Sequence, residues 1–477
     1  MIRAIAPGDM LELERRFMDE TGTPAILLME RAATAVADAL GDAKRVLFLC
    51  GSGGNGGDGI AAARLFAARG GDAVVWKIGS EESDIVKQQI LMLKCYGASV
   101  LRITSAVPAP PPVDCVVDAM FGIGLSKPLT GAYADAVKRI NAARPARVIA
   151  VDIPSGVDGA TGSVCGQAIT ADETITFHRP KTGHYIYPGR EHTGKLTVAP
   201  IGIPLSYGVS RTDPVLLEDG DIERLLPPRK PDTHKGDYGN AMIIAGGAGM
   251  AGAAALCARA AMRSGAGRVT VVCPSSIQPI VHQIIPEATA FHSDDDAECL
   301  AKLEGTTCAA VGPGLSGKKP RMLELLQGMD IPQVWDAGAL NYLAEEGKSP
   351  HPRTIITPHM GEAGRLLNKP ARELASDPIA AARQLNERTG AVALLKGSTT
   401  VITDGESVTL NINGSPAMAK GGMGDALAGV IAAMLAQGLA PYDAARVGAY
   451  LHGRAGSRAA SALGERSVLA SDVIDYL

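Results

Sequence analysis

Two aspartates are candidates for proton transfer because of what surrounds them. In Lys420-Gly-Gly-Met-Gly-Asp-Ala-Leu-Ala-Gly429, Asp425 opens the apolar run ALAGVIAAMLAQG. Backbone N–H groups and the helix dipole make such a start an anion site. An aspartate placed there sits beside a bound phosphate and can take the proton of an attacking hydroxyl. A glycine turn capped by Asp accounts for the bare pattern equally well. In the first half, Asp152-Ile-Pro-Ser-Gly-Val-Asp158 follows an apolar run, as do Asp118-Ala-Met-Phe-Gly-Ile-Gly-Leu-Ser-Lys-Pro128 and Phe177-His-Arg-Pro-Lys181. The densest cluster is Cys50-Gly-Ser-Gly-Gly-Asn-Gly-Gly-Asp-Gly59. It is not a Walker loop, since no G-K-[ST] follows. A loop of this kind before a helix favours phosphate or carboxylate. A tight turn with Asp58 as N-cap is the plainer reading, and six glycines in nine residues exceed what it requires. Asn55, Asp118 and Ser155 offer hard oxygens at neighbouring strand ends. With one charge among them they suit a monovalent cation better than Mg²⁺, helix capping being the alternative for a lone Asp.

The elements that must hold these residues alternate. Strands are predicted at 45–50, 72–79, 115–121, 147–154, 173–178 and 195–202, with helices near 24–40, 58–70, 82–96 and 131–143. A stretch rich in proline, glycine and charge covers 203–235. Alternation then resumes with strands at 240–247, 268–274, 308–314, 333–339, 353–359, 391–397 and 399–405, and helices at 250–264, 378–389, 424–438 and 442–462. Continuous apolar strands separated by helices imply parallel sheets covered on both faces. Two α/β domains are expected, 1–212 and 220–477, with the boundary near 210–220. Ligands of such sheets bind beyond the carboxyl ends of strands, which is where the polar clusters fall. In the second half these are Gly246-Gly-Ala-Gly-Met-Ala-Gly252, Gly312-Pro-Gly-Leu-Ser-Gly317, Trp335-Asp-Ala-Gly-Ala-Leu340, Thr357-Pro-His-Met-Gly-Glu362 and Lys396-Gly-Ser-Thr-Thr400.

Composition narrows the function classes. Glycine supplies 56 of 477 residues, above the usual share of about 7%, with no collagen period. Lys+Arg number 46 against Asp+Glu 50, so no basic footprint for nucleic acid appears. No apolar run approaches the ~20 residues of a membrane span, and the start, MIRAIAPGDM, lacks the pattern of a secretory signal. The eight cysteines are scattered without C-x-x-C and read as small buried hydrophobes in a reducing cytosol. A cytoplasmic protein is expected, and the sequence is compatible with a homo-oligomer without specifying one.

The motifs CGSGGNGGDG, DAMFGIGLSKP and DIPSGVD, in this order, resemble the NAD(P)HX epimerase (YjeF N-terminal) family over most of residues 1–205. The resemblance implies a Rossmann-like three-layer domain that interconverts the epimers of hydrated NADH and NADPH. It implies that Gly54, Asn55, Gly56, Gly57 and Asp58, with Gly122, Ile123, Gly124, Leu125, Ser126, Lys127 and Pro128, line the substrate. Asp152 would contact the nicotinamide ring and transfer the proton. Asn55, Asp118 and Ser155 would bind K⁺. Lys127 is a second acid or phosphate contact, or a plain surface lysine. Where the family has Asn-Asn before Gly-Gly-Asp, this chain has Gly54-Asn55.

THKGDYG, GGAGMAG, GPGLSG, TPHMGE, LLKGSTT and GGMGDALAG, in order, resemble the ADP-dependent NAD(P)HX dehydratase (YjeF C-terminal) family across about 225–475. This second resemblance implies a ribokinase-like α/β domain in which Ala253, Gly314, His359 and Asp425 contact the substrate. Lys396, Gly397, Ser398, Thr399, Thr400 and Gly424 would hold ADP, and Asp425 would be the base. Mg²⁺ is an expected phosphate partner. His359 is expected to hydrogen-bond substrate, since no second His or Cys lies at metal-ligand spacing. Gly338 replaces the second acid of the family's Asp-Ala-Asp-Ala-Leu. The two resemblances together imply metabolite repair of NADHX and NADPHX with ADP as co-substrate. A ribokinase-class small-molecule kinase and a non-catalytic nucleotide-binding regulator are the alternatives.

Overall fold

In the computed structural model, residues 1–292, 301–302, 305–315, 320–347 and 350–477 are described. The sequence assignments to Cys299, Ser316 and Gly317 lie outside them. The chain divides into two compact units, Arg3–Asp213 and Pro214–Leu477, the latter joined by Met1–Ile2.

In the first unit, seven strands run β1 Arg45–Cys50, β2 Asp72–Ile78, β3 Ser99–Ile103, β4 Cys115–Ala119, β5 Val148–Val151, β6 Glu173–Phe177 and β7 Lys195–Ala199. They form one sheet in the order β3-β2-β1-β4-β5-β6-β7, parallel throughout. Helices α1 Pro7–Thr21, α2 Ala25–Ala39, α3 Gly54–Ala68, α4 Asp84–Lys94 and α5 Gly131–Ala143 belong to this unit. Separate apolar cores lie on its two sides: Phe48, Ile60, Val75 and Val117 in one, Leu47, Trp76, Val116 and Val137 in the other. Adjacent strand residues thus point to opposite cores, which is why these strands read as unbroken apolar runs. The sheet reverses order between β1 and β4, and a crevice beyond their carboxyl ends is the expected ligand site. The predicted strands are present, 45–50 with its predicted bounds and the others with shorter carboxyl ends. α1 and β3 lie outside the predicted elements: α1 does carry a helical period, with Met10, Leu13 and Phe17 on its buried face, whereas β3 is an edge strand with Ser99, Leu101 and Arg102 exposed and lacks the apolar run of a central strand.

The helix predicted from residue 58 begins at Gly54, with Gly53 as N-cap. Asp58 therefore lies inside the helix and does not cap it. The glycines serve close approach: a Cβ on Gly56 would sit 2.1 Å from the Gly51 carbonyl oxygen, and one on Gly59 would sit 2.4 Å from Ala119 Cβ. α3 can descend onto β4 only because these positions lack side chains.

The second unit contains β8 Val215–Leu216, β9 Asn240–Ile244, β10 Arg268–Val272, β11 Thr289–Phe291, β12 Cys308–Val311, β13 Gln333–Trp335, β14 Thr354–Ile356, β15 Val392–Leu395, β16 Thr400–Thr403 and β17 Val408–Asn411. Their order is β8-β17-β16-β15-β14-β13-β12-β9-β10-β11. The sheet is parallel from β11 to β15, but β16 pairs antiparallel with β15 and β17. This corrects the expectation of a purely parallel sheet: the connections at 396–399 and 404–407 are too short for crossover helices and close hairpins instead. The principal helices are α6 Ala251–Arg263, α7 Gly338–Glu346, α8 Met360–Leu367, α9 Pro378–Thr389, α10 Met423–Ala436 and α11 Pro441–Leu463. α10 is buried along nearly its whole length, and its Ile431, Ala432 and Leu435 join the strand residues Ile243, Val271 and Ala310 in one core.

α10 packs tightly against α6, and a Cβ on Gly429 would come within 2.1 Å of the Cys257 carbonyl oxygen. Gly429→Ala must separate the helices, and we expect a loss of about 1–3 kcal/mol of stability. Urea unfolding of wild type and variant measures it; an unchanged midpoint would contradict this packing.

Candidate functional site

Asp152 follows β5 directly and has φ +66°, a left-handed conformation that Asp tolerates better than bulkier residues. Its carboxylate is buried. Oδ1 accepts from Lys181 Nζ at 2.6 Å and from Thr176 Oγ1 at 3.0 Å. Oδ2 faces the opposite way, toward the loop after β4: a Cβ on Gly122 would lie 3.0 Å from it and 3.2 Å from Asn55 Oδ1. Burial would raise the Asp152 carboxyl, but the Lys181 ammonium outweighs it and holds the group below its ordinary value. His184 closes the cluster. The Lys181 backbone N–H donates to its Nδ1 at 3.0 Å, so Nε2 carries the proton and donates to the Asp152 carbonyl at 2.9 Å. Burial, with the Lys181 charge, lowers His184 to about 4, and the ring is neutral at pH 7.

Two further carboxyls face this cluster. Burial, reinforced by the Asp152 charge, raises Asp58 well above its ordinary value. Burial raises Glu14 of α1 to about 7, against the pull of Lys181. One ionised carboxylate thus sits beside two carboxyls whose proton affinity is raised, an arrangement suited to acid–base work.

Asp118 at the end of β4 accepts from the Ser155 backbone N–H and from Ser155 Oγ, both at 2.7 Å. Burial raises its carboxyl to about 6, with the Ser155 bonds offsetting part of the cost. Asn55 Nδ2 is buried without a hydrogen-bond partner. In the loop 122–128, Ile123 and Leu125 pack against the cores, while Gly124, Ser126, Lys127 and Pro128 are exposed or half-buried. Gly54 is exposed, and a Cβ on it would meet nothing within 4 Å, so an asparagine would fit there.

In the second unit Lys396, just after β15, donates to Asp336 Oδ1 at 2.7 Å and lies 4.0 Å from Glu362 Oε2. Asp336, after β13, also accepts from Thr357 Oγ1 at 2.8 Å. Gly424 in the first turn of α10 comes against this pair: a Cβ there would be 3.2 Å from Lys396 Nζ and 3.3 Å from Asp336 Oδ2. Asp425 is the next residue. Burial, then the neighbouring Asp336 charge, raises it to about 6, with Lys396 pulling the other way. The residue preceding α10 in the chain, Gly422, has φ +90°, which a side chain would resist.

His359 caps α8: its Nδ1 accepts from the backbone N–H groups of Gly361 and Glu362, and Glu362 accepts in return from the His359 N–H. The ring therefore offers only Nε2 to a ligand. Gly314, at φ +60°, lies against Ala253; a Cβ would approach Ala253 Cβ to 2.7 Å. Gly338 abuts the Leu315 carbonyl oxygen, 2.7 Å from a Cβ, so an aspartate would not fit this backbone unmoved. In the turn Lys396–Thr400, Thr400 Oγ1 donates to the Gly397 carbonyl at 3.3 Å. Of the residues between, Gly397 and Ser398 are exposed and Thr399 is buried. Sequence reasoning assigned no role to Lys181, Thr176, His184, Glu14 or Glu362. Lys181 had a signal, a polar cluster after a strand; Glu14 had none, because only the fold brings α1 to the Asp152 cluster.

The family model described as YjeF-related protein N-terminus matches residues 25–183, and the model described as NAD(P)H-hydrate dehydratase matches 241–477. A Moorella thermoacetica protein named bifunctional NAD(P)H-hydrate repair enzyme Nnr is 37% identical, covering 99% of this chain and 95% of its own. One of the same name from Coxiella burnetii is 38% identical, covering 98% and 96%. The crystal structure of an ADP/ATP-dependent NAD(P)H-hydrate dehydratase from Bacillus subtilis with ATP/Mg²⁺ is 32% identical, with TM-score 0.51 over 54% of this chain and 94% of that one.

Carbon-13 NMR of the carboxyls should find Asp425 titrating near pH 6. Asp336→Asn removes the like charge and frees Lys396, so the Asp425 midpoint should fall; a midpoint that stays or rises would contradict the assigned geometry.

Proposed function

The chain belongs to the family of bifunctional NAD(P)H-hydrate repair enzymes, and on that premise we propose that it repairs hydrated NADH and NADPH in two steps. Residues 1–212 epimerise the R and S hydrates, and residues 220–477 dehydrate the S form with ADP, releasing AMP and phosphate. The observation that best supports this division is that each unit has its own buried aspartate paired with a lysine at the carboxyl ends of its strands, Asp152 with the buried Lys181 and Asp336 with the half-buried Lys396.

In the first unit, Asp152 Oδ2 exchanges the proton beside the nicotinamide ring, and the loops 54–58 and 122–128 border the substrate. A monovalent cation fits the buried Asp118 carboxylate. Among the described residues no cationic side chain pairs with it, and its bonds come from Ser155 and the Met120 N–H. Asn55, Asp118 and Ser155 would hold K⁺ there, where its charge would compensate the carboxylate and stiffen the crevice.

In the second unit, a ribokinase-like site, Asp425 takes the hydroxyl proton of the hydrate as the terminal phosphoryl group of ADP is transferred to that oxygen. Departure of phosphate from the ring carbon, with loss of a proton from the adjacent carbon, then forms the double bond of the reduced ring. Phosphorylation converts a poor leaving group into a good one. The backbone N–H groups at the start of α10 face the developing charge, and Lys396 neutralises Asp336 while staying within reach of a phosphate. The turn 396–400 and Gly424 border the nucleotide, and Ala253, Gly314 and His359 Nε2 the substrate. Mg²⁺ would enter chiefly through phosphate oxygens and water, since no three acid or imidazole groups gather as ligands among the described residues. The described helices include none long and apolar enough to cross a membrane, and the seven described cysteines are free thiols; we place the enzyme in the cytoplasm.

Incubation with both hydrates, ADP and K⁺, followed by nicotinamide absorbance, tests the scheme. Wild type should convert both fully. Asp425→Ala should slow S-hydrate dehydration by about 10²–10⁴-fold, and Asp152→Ala should leave the R hydrate unconverted above the spontaneous rate. A stable phosphorylated product without AMP release would instead favour a small-molecule kinase. Because the base must be ionised, kcat/KM for dehydration should fall as pH drops through about 6. Epimerisation should depend on K⁺, and Asp118→Asn should abolish that dependence.

A further inference from the structure

We propose that Lys181 is a positioning residue for epimerisation: it holds Asp152 by Oδ1 so that Oδ2 alone is presented to the ring. This rests on the role of Asp152 proposed above. Lys181 is 1% exposed, and its ammonium has three acceptors, Asp152 Oδ1 at 2.6 Å, Thr176 Oγ1 at 2.9 Å and the Phe177 carbonyl at 3.2 Å. Three protons meet three acceptors, so the group cannot rotate without losing a buried bond. Thr176 Oγ1 donates its own proton to the same Oδ1, and two donors therefore fix one oxygen.

The backbone around Lys181 is also tied down. Ile5 forms a parallel bridge to it, with the Ile5 N–H donating to the Pro180 carbonyl at 2.9 Å. His184 is bonded to both the Lys181 N–H and the Asp152 carbonyl, which couples the two backbones. On the other side of the carboxylate, Gly122 leaves no Cβ between Oδ2 and Asn55. Both side-chain donors thus draw Oδ1 inward, and the gap is at Oδ2. A purely structural ion pair would not need this asymmetry.

The full-length enzyme is assayed with R hydrate and K⁺. Lys181→Met should lower kcat of epimerisation by about 10–100-fold, the range for loss of an orienting outer-shell partner, with KM within about twofold. In Lys181→Ala, added methylammonium should recover part of the kcat, whereas tetramethylammonium, which has no N–H, should not. The double variant Asp152→Asn/Lys181→Met should be no slower than Asp152→Asn alone, since both act through one group. If Lys181→Met fails to fold, Thr176→Val decides, with an expected fall in kcat of about fivefold at unchanged KM. A folded Lys181→Met or Thr176→Val with wild-type kcat overturns the proposal. Wild-type epimerisation by Asp152→Asn instead overturns the role of Asp152 on which it rests.

Discussion

A carboxylate taken out of water must be compensated, and both units are arranged around that requirement. Removing one partner of a buried pair costs about 3–5 kcal/mol, so Asp152 and Lys181 can exist at their depth only together. Asp152 is the first residue beyond β5, while Lys181 arrives four residues beyond β6. The pair therefore fixes how the loops after two neighbouring strands meet. Thr176, His184 and Gly122 follow from the same constraint, two by bonding the pair and one by keeping clear of it. Asp336 and Lys396 impose the equivalent condition on the loops after β13 and β15, with Gly424 and Thr357 in the supporting places.

The same constraint sets the electrostatics. In the first unit the lysine points at Asp152 and keeps it ionised. In the second the lysine is bound to Asp336, and Asp425 is one step removed. Its carboxyl is consequently raised to about 6 by burial and by the Asp336 charge. One pair thus contains a carboxylate that is ionised at neutral pH, and the other has beside it a carboxyl, Asp425, that titrates nearer to neutrality. That difference suits the two proposed chemistries: proton exchange beside a ring, and removal of a hydroxyl proton in step with phosphoryl transfer.

Glycine has two uses in these sites. At Gly56, Gly59 and Gly429 it lets a helix approach backbone or a neighbouring Cβ more closely than any side chain permits. At Gly422 and Gly314 it supplies positive φ where a loop turns into or beside a helix. The first use was not legible as such: the run 51–59 reads as a phosphate loop by composition, and most of it is helix.

The order of residues alone dictates the alternation of strands and helices, the two-unit organisation and the places of Asp152 and Asp425, because strand burial imposes unbroken apolar runs and ligand loops must follow them. It also carries the motifs that mark each half, including Asn55, Asp118 and Ser155. What those residues meet is settled by the fold. Lys181 lies 29 positions from Asp152 and Lys396 lies 60 from Asp336, separations with no periodic signature. Glu14 feels Lys181 and Asp152 only because α1 packs beside their cluster, and Nδ1 of His359 is taken by a helix cap, through a turn geometry the motif does not encode. Local pattern follows from the chain's own periodicity, but the charge state of a buried group depends on neighbours that only folding brings within a few ångströms.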